Sequence, residues 1–301
     1  MGVFDGKVAI VTGAGRGMGR AEAMMLAAQG ARVVVNDLGG SLEGRGADGS
    51  PAHEVVEEIR SSGGSADANT DDVSTWEGAR GLVQQAIDTY GGLDVVVNNA
   101  GVIRTGMSFN LDESDWDTVI AVHLKGTFGT CRFAGAYWRD RSKSTGRPGD
   151  AAIVNTSSPN GLNGGSPGHV NYAVAKSGIA TMTVTLAREL APYGVRCNAI
   201  APVAFTRMTE SLWGDGIFVD ANREELGPEG VATVVGWLAS PLAEGISGQV
   251  LAVSGHTLSV WEGWRVAAHF DGRDGDWTIE QLARSRHEVF DERDPGVPGA
   301  G

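Results

Sequence analysis

The sequence predicts an α/β fold, a Rossmann-type doubly wound parallel sheet of about seven strands with helices on both faces. Short apolar runs alternate with helical stretches of roughly 10–15 residues, which is the pattern of repeated βαβ units. The first run, at 7–12, is followed by a stretch rich in Ala, Met and Leu that stops at Gly30. A chain of 301 residues therefore fits a single domain with a C-terminal extension.

The runs that we expect to form strands are short and mostly apolar. They lie at 7–12, 32–37, 65–70, 93–97, 151–156, 195–200 and 249–253. Helical patterns fall between them at 18–29, 51–62, 75–90, 114–138, 172–191 and 228–239. Ser74 and Glu77 have capping-box spacing ahead of the helix at 75–90. Residues 38–50 lengthen the connection after the second strand, and we expect them to form a surface loop.

The rhythm of strands and helices ends near Gly255. We therefore expect a domain at 1–255 and a C-terminal extension at 256–301, which serves either the substrate pocket or a subunit interface. Thr278 and Gln281 form a capping-box pattern ahead of a helix that runs to about Phe290. The composition of residues 291–301 predicts disorder.

Tryptophans in and near the extension allow two interpretations. Core or subunit packing is the favoured one, because it is the usual role of large aromatic side chains. The alternative is that Trp261 and Trp264, together with Trp213, wall a pocket for a bulky apolar substrate.

Charge and composition exclude several classes of partner. The 37 acidic and 24 basic residues give a net charge of −13, which argues against nucleic acid or an anionic membrane as the main partner. No apolar run approaches the ~20 residues that a membrane-spanning helix needs. Cys131 and Cys197 offer no disulfide framework, and we expect a cytoplasmic location. His256 and His269 have no ligand-spaced partners, so no metal site is expected.

A glycine-rich turn follows the first strand. It reads Thr12-Gly-Ala-Gly-Arg-Gly-Met-Gly19, with TGxxxGxG spacing through Gly13, Gly17 and Gly19. Such a turn lets the backbone approach a pyrophosphate at a helix N-terminus, with Arg16 and Met18 beside it. By itself the turn is equally compatible with an ordinary strand–helix connection. Its place between a strand and a helix at the start of an α/β pattern favours dinucleotide binding.

Asp37 ends the second strand, where an acidic side chain can accept hydrogen bonds from an adenosine ribose and repel a 2′-phosphate. This predicts NAD rather than NADP. The alternative is an ordinary aspartate in a turn. Arg16 argues weakly in the other direction, because a guanidinium there could meet a phosphate.

Tyr172 and Lys176 are four residues apart, which places both side chains on one face of a helix. A free tyrosine, with a pKa near 10, is a poor general base, and a nearby cation favours its phenolate form. Ser157 and Ser158 follow the strand at 151–156, where a hydroxyl could hold a substrate oxygen. The YxxxK pattern alone is weak, but it lies downstream of a TGxxxGxG turn.

With these motifs in order, the sequence resembles the short-chain dehydrogenase/reductase family over roughly residues 5–255. The resemblance implies catalytic roles for Ser158, Tyr172 and Lys176, with Ser157 as the less favoured serine. It also implies that Lys176 and Thr206 bind the nicotinamide ribose and carboxamide. The remaining implied cofactor contacts are Asp72 and Val73 at the adenine, and Asn98, Asn99, Ala100 and Gly101 near the adenosine half.

His123 and Val203 depart from the usual family pattern, which has Asn and Gly at these places. A lone inward-facing histidine is most often a packing residue, and the alternative is that His123 anchors a water of a proton relay. These departures, with NDLGG at 36–40, resemble the (3R)-hydroxyacyl-CoA dehydrogenase unit of multifunctional enzyme type 2 and its bacterial relatives.

The function implied by the resemblance is hydride transfer between NAD and a secondary alcohol or ketone. The substrate class would be a 3-hydroxyacyl-CoA or a hydroxysteroid, and the expected assembly is a homodimer or homotetramer. A 3-oxoacyl reductase is the enzyme alternative, against which Asp37 argues. A catalytically silent dinucleotide-binding protein is the remote alternative.

Overall fold

The computed structural model of the chain describes residues 2–204, 226–263, 265–271 and 277–290. Two compact units, Met1–Trp261 and Glu262–Gly301, divide the chain. The first unit contains the whole sheet. The second unit contains two short helices within its described residues.

The sheet formed by the described residues has eight strands. They are β1 Val8–Thr12, β2 Arg32–Asn36, β3 Ser65–Asn69, β4 Val95–Asn98, β5 Ala151–Thr156, β6 Val195–Val203, β7 Val250–Ser254 and β8 Thr257–Trp261. Their order is β3-β2-β1-β4-β5-β6-β7-β8. The first seven strands are parallel, as the sequence predicts, and β8 pairs antiparallel with β7. The strand order reverses between β1 and β4, and such a switch point opens a crevice at the carboxyl ends of the strands.

Helices cover both faces of this sheet. They are α1 Gly17–Ala28, α2 Ser50–Ser61, α3 Trp76–Tyr90, α4 Glu113–Val119, α5 Gly126–Thr145, α6 Pro159–Leu162, α7 Val170–Leu190 and α8 Pro228–Ala239, with α9 Ile279–Arg284 and α10 Arg286–Phe290 in the second unit. Within the described ranges, no helix combines the length and the apolar character needed to cross a membrane.

Alternate residues of each parallel strand face opposite helical layers, because strand side chains alternate between the two faces. On β1, Ala9 and Val11 pack with the layer formed by α1, α2 and α8. Val8 and Ile10 pack with the layer formed by α3, α5 and α7. All five residues of β1 are buried, which explains why the strand is a continuous apolar run rather than an alternating one.

Three expectations need correction or adjustment, and a fourth is not tested. The cap of α3 is Thr75, whose hydroxyl accepts the Gly78 amide, rather than Ser74 paired with Glu77. The helix expected at 114–138 is divided by a π-helical turn at Ile120–Lys125. The sheet extends past the boundary expected at 255, because β8 continues it to Trp261. Residues 291–301, where disorder is expected, lie outside the described residues.

Candidate active site

A groove of about 560 Å³ opens at the carboxyl ends of the central strands. It joins the glycine turn at one end to Tyr172 and Lys176 at the other. The candidate residues that line it are Gly13, Arg16, Gly17, Met18, Asp37, Asp72, Val73, Asn99, Ala100, Gly101, His123, Tyr172 and Lys176. A larger cleft of about 840 Å³ lies at the amino ends of β5, β6 and β7, and it contains none of the candidate residues.

The glycine turn brings the backbone close to β4. Gly13 and Gly17 have φ of +63° and +55°, which side chains other than glycine rarely adopt. A Cβ on Gly13 would lie 2.7 Å from the Cα of Ala100. The N-cap of α1 is Arg16, which makes no side-chain cap hydrogen bond, so the first amides of the helix can meet an anion. Gly19 lies behind the turn, where a Cβ would collide with the Gly13 carbonyl, and it does not line the groove.

Asp37 is held by two backbone amides at the mouth of the groove. Its Oδ2 accepts a hydrogen bond from the Gly15 amide at 2.8 Å, and its Oδ1 accepts one from the Gly39 amide at 2.7 Å. Both bonds orient the carboxylate before any ligand arrives. The acidic group predicted to meet a ribose is therefore preorganised.

A network of amide side chains carries the loop that holds Asp72 and Val73. The buried Asn36 donates from Nδ2 to Asn69 Oδ1 at 2.6 Å and to the Asp71 carbonyl at 2.9 Å. Asn69 Nδ2 in turn donates to Asp71 Oδ2 at 3.0 Å and to Gln85 Oε1 at 2.8 Å. These residues are not among those that the sequence predicts for the site. The polar Asn36 at the end of an apolar strand was the one available signal.

The end of β4 is joined to the end of β1 by hydrogen bonds. The Thr12 hydroxyl accepts the amides of Asn99 and Ala100 at 3.0 and 3.1 Å. Asn99 Nδ2 donates to the Gly13 carbonyl at 3.1 Å. Asn98 instead points into the sheet, where its Nδ2 donates to Asn155 Oδ1 at 2.9 Å, and it does not line the groove.

Tyr172 and Lys176 lie one turn apart on α7 and are both directed at the groove. Lys176 Nζ is 5.5 Å from the centroid of the Tyr172 ring and donates to the Thr156 carbonyl at 2.6 Å. Lys176 is only 3% exposed, so this carbonyl supplies a partner that the buried ammonium needs.

The two serines after β5 make different contacts. The Ser157 hydroxyl donates to the Lys176 carbonyl at 2.8 Å, so it is already used within the fold, although other atoms of the residue line the groove. The Ser158 side chain hydrogen-bonds to Tyr172 and accepts the Asn160 amide at 3.2 Å. The hydroxyl that stands beside Tyr172 is therefore that of Ser158.

Burial controls the charge states of the pair on α7. It raises the pKa of Tyr172, and the Ser158 hydrogen bond opposes this shift. It also lowers the pKa of Lys176 to about 7. The expectation that Lys176 holds the Tyr172 pKa down is not met in this structure, because desolvation of the phenol dominates.

His123 is buried in the π-helical turn and contacts the end of β4. Its Nε2 lies 3.0 Å from the Val102 nitrogen and 2.8 Å from the Val102 oxygen. Its ring meets the Tyr172 ring edge-on, with the centroids 5.2 Å apart. A Cβ on Gly101 would lie 2.5 Å from the His123 ring, which explains the glycine there.

The His123 ring is neutral over the working pH range. Burial lowers its pKa to about 3, and the positive charge of Lys176 acts in the same direction. The Nδ1 atom has no hydrogen-bond partner. The Val102 contacts agree with the packing interpretation, the unpartnered Nδ1 does not, and the water-anchoring role stays a prediction.

Three residues with predicted roles at the cofactor or substrate lie outside the described residues. They are Thr206, Trp213 and Trp264. Val203, the second departure from the family pattern, is the last residue of β6. No group of three or more metal-ligating side chains occurs in the part of the chain that the structure describes.

The chain is similar to proteins of known family. The model of a family described as short chain dehydrogenase matches residues 7–215. Hydroxyacyl-CoA dehydrogenase ChsB1 of Mycobacterium tuberculosis is 42% identical over 298 residues, covering 97% of this chain and 91% of that protein. Peroxisomal multifunctional enzyme type 2 of Mus musculus is 44% identical over 242 residues, which are 80% of this chain and 31% of that protein.

Solved structures show the same fold. A short chain dehydrogenase from Mycobacterium avium superposes with a TM-score of 0.86 at 45% identity, covering 99% of this chain and all of that one. A short chain dehydrogenase from Burkholderia cenocepacia, solved in complex with NADP, has a TM-score of 0.72 at 29% identity. It covers 84% of this chain and 98% of that one.

Proposed function

The chain belongs to the short-chain dehydrogenase/reductase family and is an oxidoreductase that acts on CH–OH groups, and from this premise we propose that it oxidises a 3-hydroxyacyl-CoA or a hydroxysteroid with NAD. One observation carries the proposal. Tyr172 and Lys176 line one end of a groove whose other end carries the glycine turn and Asp37, and the Ser158 side chain, which does not itself line the groove, hydrogen-bonds to Tyr172.

The residues of the groove suit a nicotinamide dinucleotide. The open first turn of α1 can bind a pyrophosphate, and the close approach of Gly13 to Ala100 leaves no room for a side chain there. Asp37 would bind the adenosine ribose, and the loop of Asp72 and Val73 would meet the adenine. When bound, the cofactor would supply the acceptor for the hydride that leaves the substrate carbon.

In the proposed reaction, this chain holds the substrate oxygen and moves its proton. The Ser158 hydroxyl binds the substrate oxygen, and the Tyr172 phenol oxygen takes the hydroxyl proton. Lys176 Nζ, seated on the Thr156 carbonyl, binds the ribose hydroxyls and supplies positive charge near the phenol. Burial raises the Tyr172 pKa in the absence of ligands. For the phenol to act as a base, the binding of substrate and cofactor therefore has to lower that pKa.

We predict that Asp37→Ala narrows the preference for NAD over NADP by at least about tenfold, because it removes a charge that repels a 2′-phosphate. The ratio of kcat/KM for the two cofactors measures this. Asp37→Asn separates the lost charge from the lost acceptors for Gly15 and Gly39, and Asp88→Asn, on the exposed face of α3, is the control. A wild-type enzyme that prefers NADP would contradict the ribose argument.

The substrate class rests on the relatives named hydroxyacyl-CoA dehydrogenase and multifunctional enzyme type 2. The experiment is a screen of NADH formation with (3R)-hydroxyacyl-CoAs, hydroxysteroids and simple secondary alcohols. A 3-oxoacyl-[acyl-carrier-protein] reductase of Thermotoga maritima is 35% identical over 257 residues, which supports 3-oxoacyl reduction as the second candidate. Faster turnover of 3-oxoacyl substrates with NADPH than of any alcohol with NAD would favour that candidate.

A cytoplasmic location and a homodimer or homotetramer complete the proposal. Cell fractionation tests the location, and five of the similar relatives carry the word peroxisomal in their names. Sedimentation of the purified protein tests the assembly.

We propose that the C-terminal extension serves either substrate binding or subunit packing. Because the compact unit with the sheet ends at Trp261, the matching truncation removes residues 262–301. We expect the truncated chain to show either a higher KM for its substrate or a smaller assembly in sedimentation. If KM and assembly are both unchanged, neither role stands.

A further inference from the structure

The connection between β2 and α2 forms part of the groove wall. Residues 38–48, here named the groove loop, start directly after Asp37, so they stand at the Asp37 end of the groove. Five of them line the same cavity as the glycine turn: Leu38, Gly40, Ser41, Leu42 and Gly44. The expectation of a surface loop is confirmed, because the segment is irregular and most of it is exposed, and the structure adds that the loop lines the candidate ligand groove.

The groove loop is closed on itself by backbone hydrogen bonds. The Asp48 amide donates to the Leu38 carbonyl at 2.9 Å, and the Ser41 amide donates to the Arg45 carbonyl at 2.9 Å. The Gly44 amide also donates to the Ser41 carbonyl at 3.0 Å. These bonds shape the loop but do not attach it to the opposite side of the groove.

Two further hydrogen bonds make that attachment. The Ile103 amide donates to the Leu42 carbonyl at 3.0 Å. Arg104 Nε donates to the Glu43 carbonyl at 2.9 Å. Both donors belong to the segment after β4, which faces the groove loop, so these bonds hold the loop across the mouth of the groove.

Arg104 is itself fixed by an ion pair. Its Nη1 donates to Asp115 Oδ1 on α4 at 2.8 Å, and the two side chains are only 16% and 31% exposed. A half-buried, charge-assisted bond holds the guanidinium plane more firmly than an exposed ion pair does. The same plane then presents Nε to the groove loop.

The segment of Arg104 also contacts the start of the catalytic helix. The buried Asn171 donates from Nδ2 to the Arg104 carbonyl at 3.0 Å and to the Asp115 carbonyl at 3.3 Å. Its Oδ1 accepts the Tyr172 amide at 2.8 Å. Arg104 thus stands between the groove loop and the helix that carries Tyr172.

We propose that Arg104 is a positioning residue that clamps the groove loop over the adenosine half of the dinucleotide and slows its release. The inference rests on the proposed function, because it takes the groove to be the dinucleotide site. A ligand in this groove lies between the glycine turn and the groove loop, so its departure requires the loop to move. Movement of the loop breaks the bond from Arg104 to Glu43, so the bond favours the closed loop, and it strengthens binding because the closed loop is the conformation that would hold the dinucleotide.

The test is Arg104→Lys, which keeps a cation beside Asp115 but lacks the Nε donor to the Glu43 carbonyl. We expect the affinities for NADH and for ADP-ribose to fall together by roughly three- to tenfold, the effect of one hydrogen bond. The NADH dissociation rate should rise by the same factor, while the rate of hydride transfer in a single turnover stays close to the wild-type value. Titration calorimetry measures the affinities, and stopped-flow fluorescence measures both rates.

Arg60 offers a matched control far from the groove. Its Nε donates to the Ala66 carbonyl at 2.9 Å and its Nη2 to Asp67 Oδ1 at 2.8 Å, which repeats the chemistry of Arg104. Arg60→Lys should leave NADH affinity and NADH release unchanged. Melting temperatures of both variants, taken without ligand, show whether each one folds.

The outcomes separate this inference from the proposed function. If the wild-type protein binds neither NADH nor NADPH, the proposed function fails. If it binds NADH and Arg104→Lys behaves like Arg60→Lys, the clamp is overturned and the proposed function stands. A fall in kcat with unchanged affinity, or a fall in NADH affinity without a fall in ADP-ribose affinity, also overturns the clamp.

Discussion

Tyr172→Phe is expected to lower kcat by roughly 10²–10⁴-fold, because it removes the oxygen that takes the substrate proton. The substitution keeps the ring, so the edge-on contact with His123 should survive and NADH affinity should change little. Steady-state turnover with the best substrate of the screen measures the first effect, and NADH titration measures the second.

Tyr137→Phe is the matched control for this prediction. Tyr137 lies on α5 and does not line the groove, so its loss of a hydroxyl should leave turnover at the wild-type level. Turnover of Tyr172→Phe at the wild-type rate would refute the assignment of Tyr172 as the catalytic group. Loss of NADH binding by this variant would show that its effect is not confined to proton transfer.

Glu22→Gln is expected to increase the free energy of unfolding above about pH 8, by an amount approaching 5 kcal/mol. Glu22 lies on α1, which packs against α8, and it is fully buried with no partner for either carboxylate oxygen. Burial raises its pKa from 4.5 to about 8. The folded state therefore holds this carboxyl in its neutral form.

The direction of the pH dependence follows from that shift. A carboxyl that binds its proton more tightly when folded stabilises the fold fully below its unfolded pKa of 4.5. This contribution is lost as the pH rises through about 8. Glutamine cannot ionise and has nearly the same shape, so the variant lacks this loss.

Urea denaturation at about pH 5 and about pH 9 measures the difference between wild type and variant. At the lower pH the two should agree within about 1 kcal/mol, since the folded Glu22 carboxyl is neutral there and the pH lies only about half a unit above its unfolded pKa. Glu54→Gln on α2 is the control, because Glu54 is exposed. An equal pH dependence for wild type and Glu22→Gln would show that the carboxyl finds a partner in solution.

Most of the fold followed from local patterns. The strands and most of the long helices lie where the apolar periodicity places them, because each pattern is contained within a few consecutive residues. One error is local, since the Thr75 hydroxyl bonds only to Asp72 and Gly78, and the other lies at a contact between distant residues. The cap of α3 moved from Ser74 to Thr75, and the π-helical turn interrupts a helix at His123, whose ring is held by Val102.

The candidate site was also predictable where its pattern is local, and not where it depends on contacts between distant residues. Tyr172 with Lys176, and the glycine turn, are visible because their spacing is local. The groove loop, the Asn36–Asn69 network and Asn171 were missed, because each contacts residues far away in the chain. Apart from Asn36, a polar residue at the end of an apolar strand, none of these residues carries a local sign of its partner.

The sequence by itself determined the α/β class, the order of the elements and the identity of the groups that meet at the groove. The tertiary structure decided how those groups behave. In the folded chain the Ser157 hydroxyl donates to the Lys176 carbonyl, and the Ser158 hydroxyl is the one that lies beside Tyr172. It also shifts the pKa values of Tyr172, Lys176 and Glu22. The physical reason is burial: desolvation and hydrogen-bond partners depend on residues that come together only when the sheet and its two helical layers have formed.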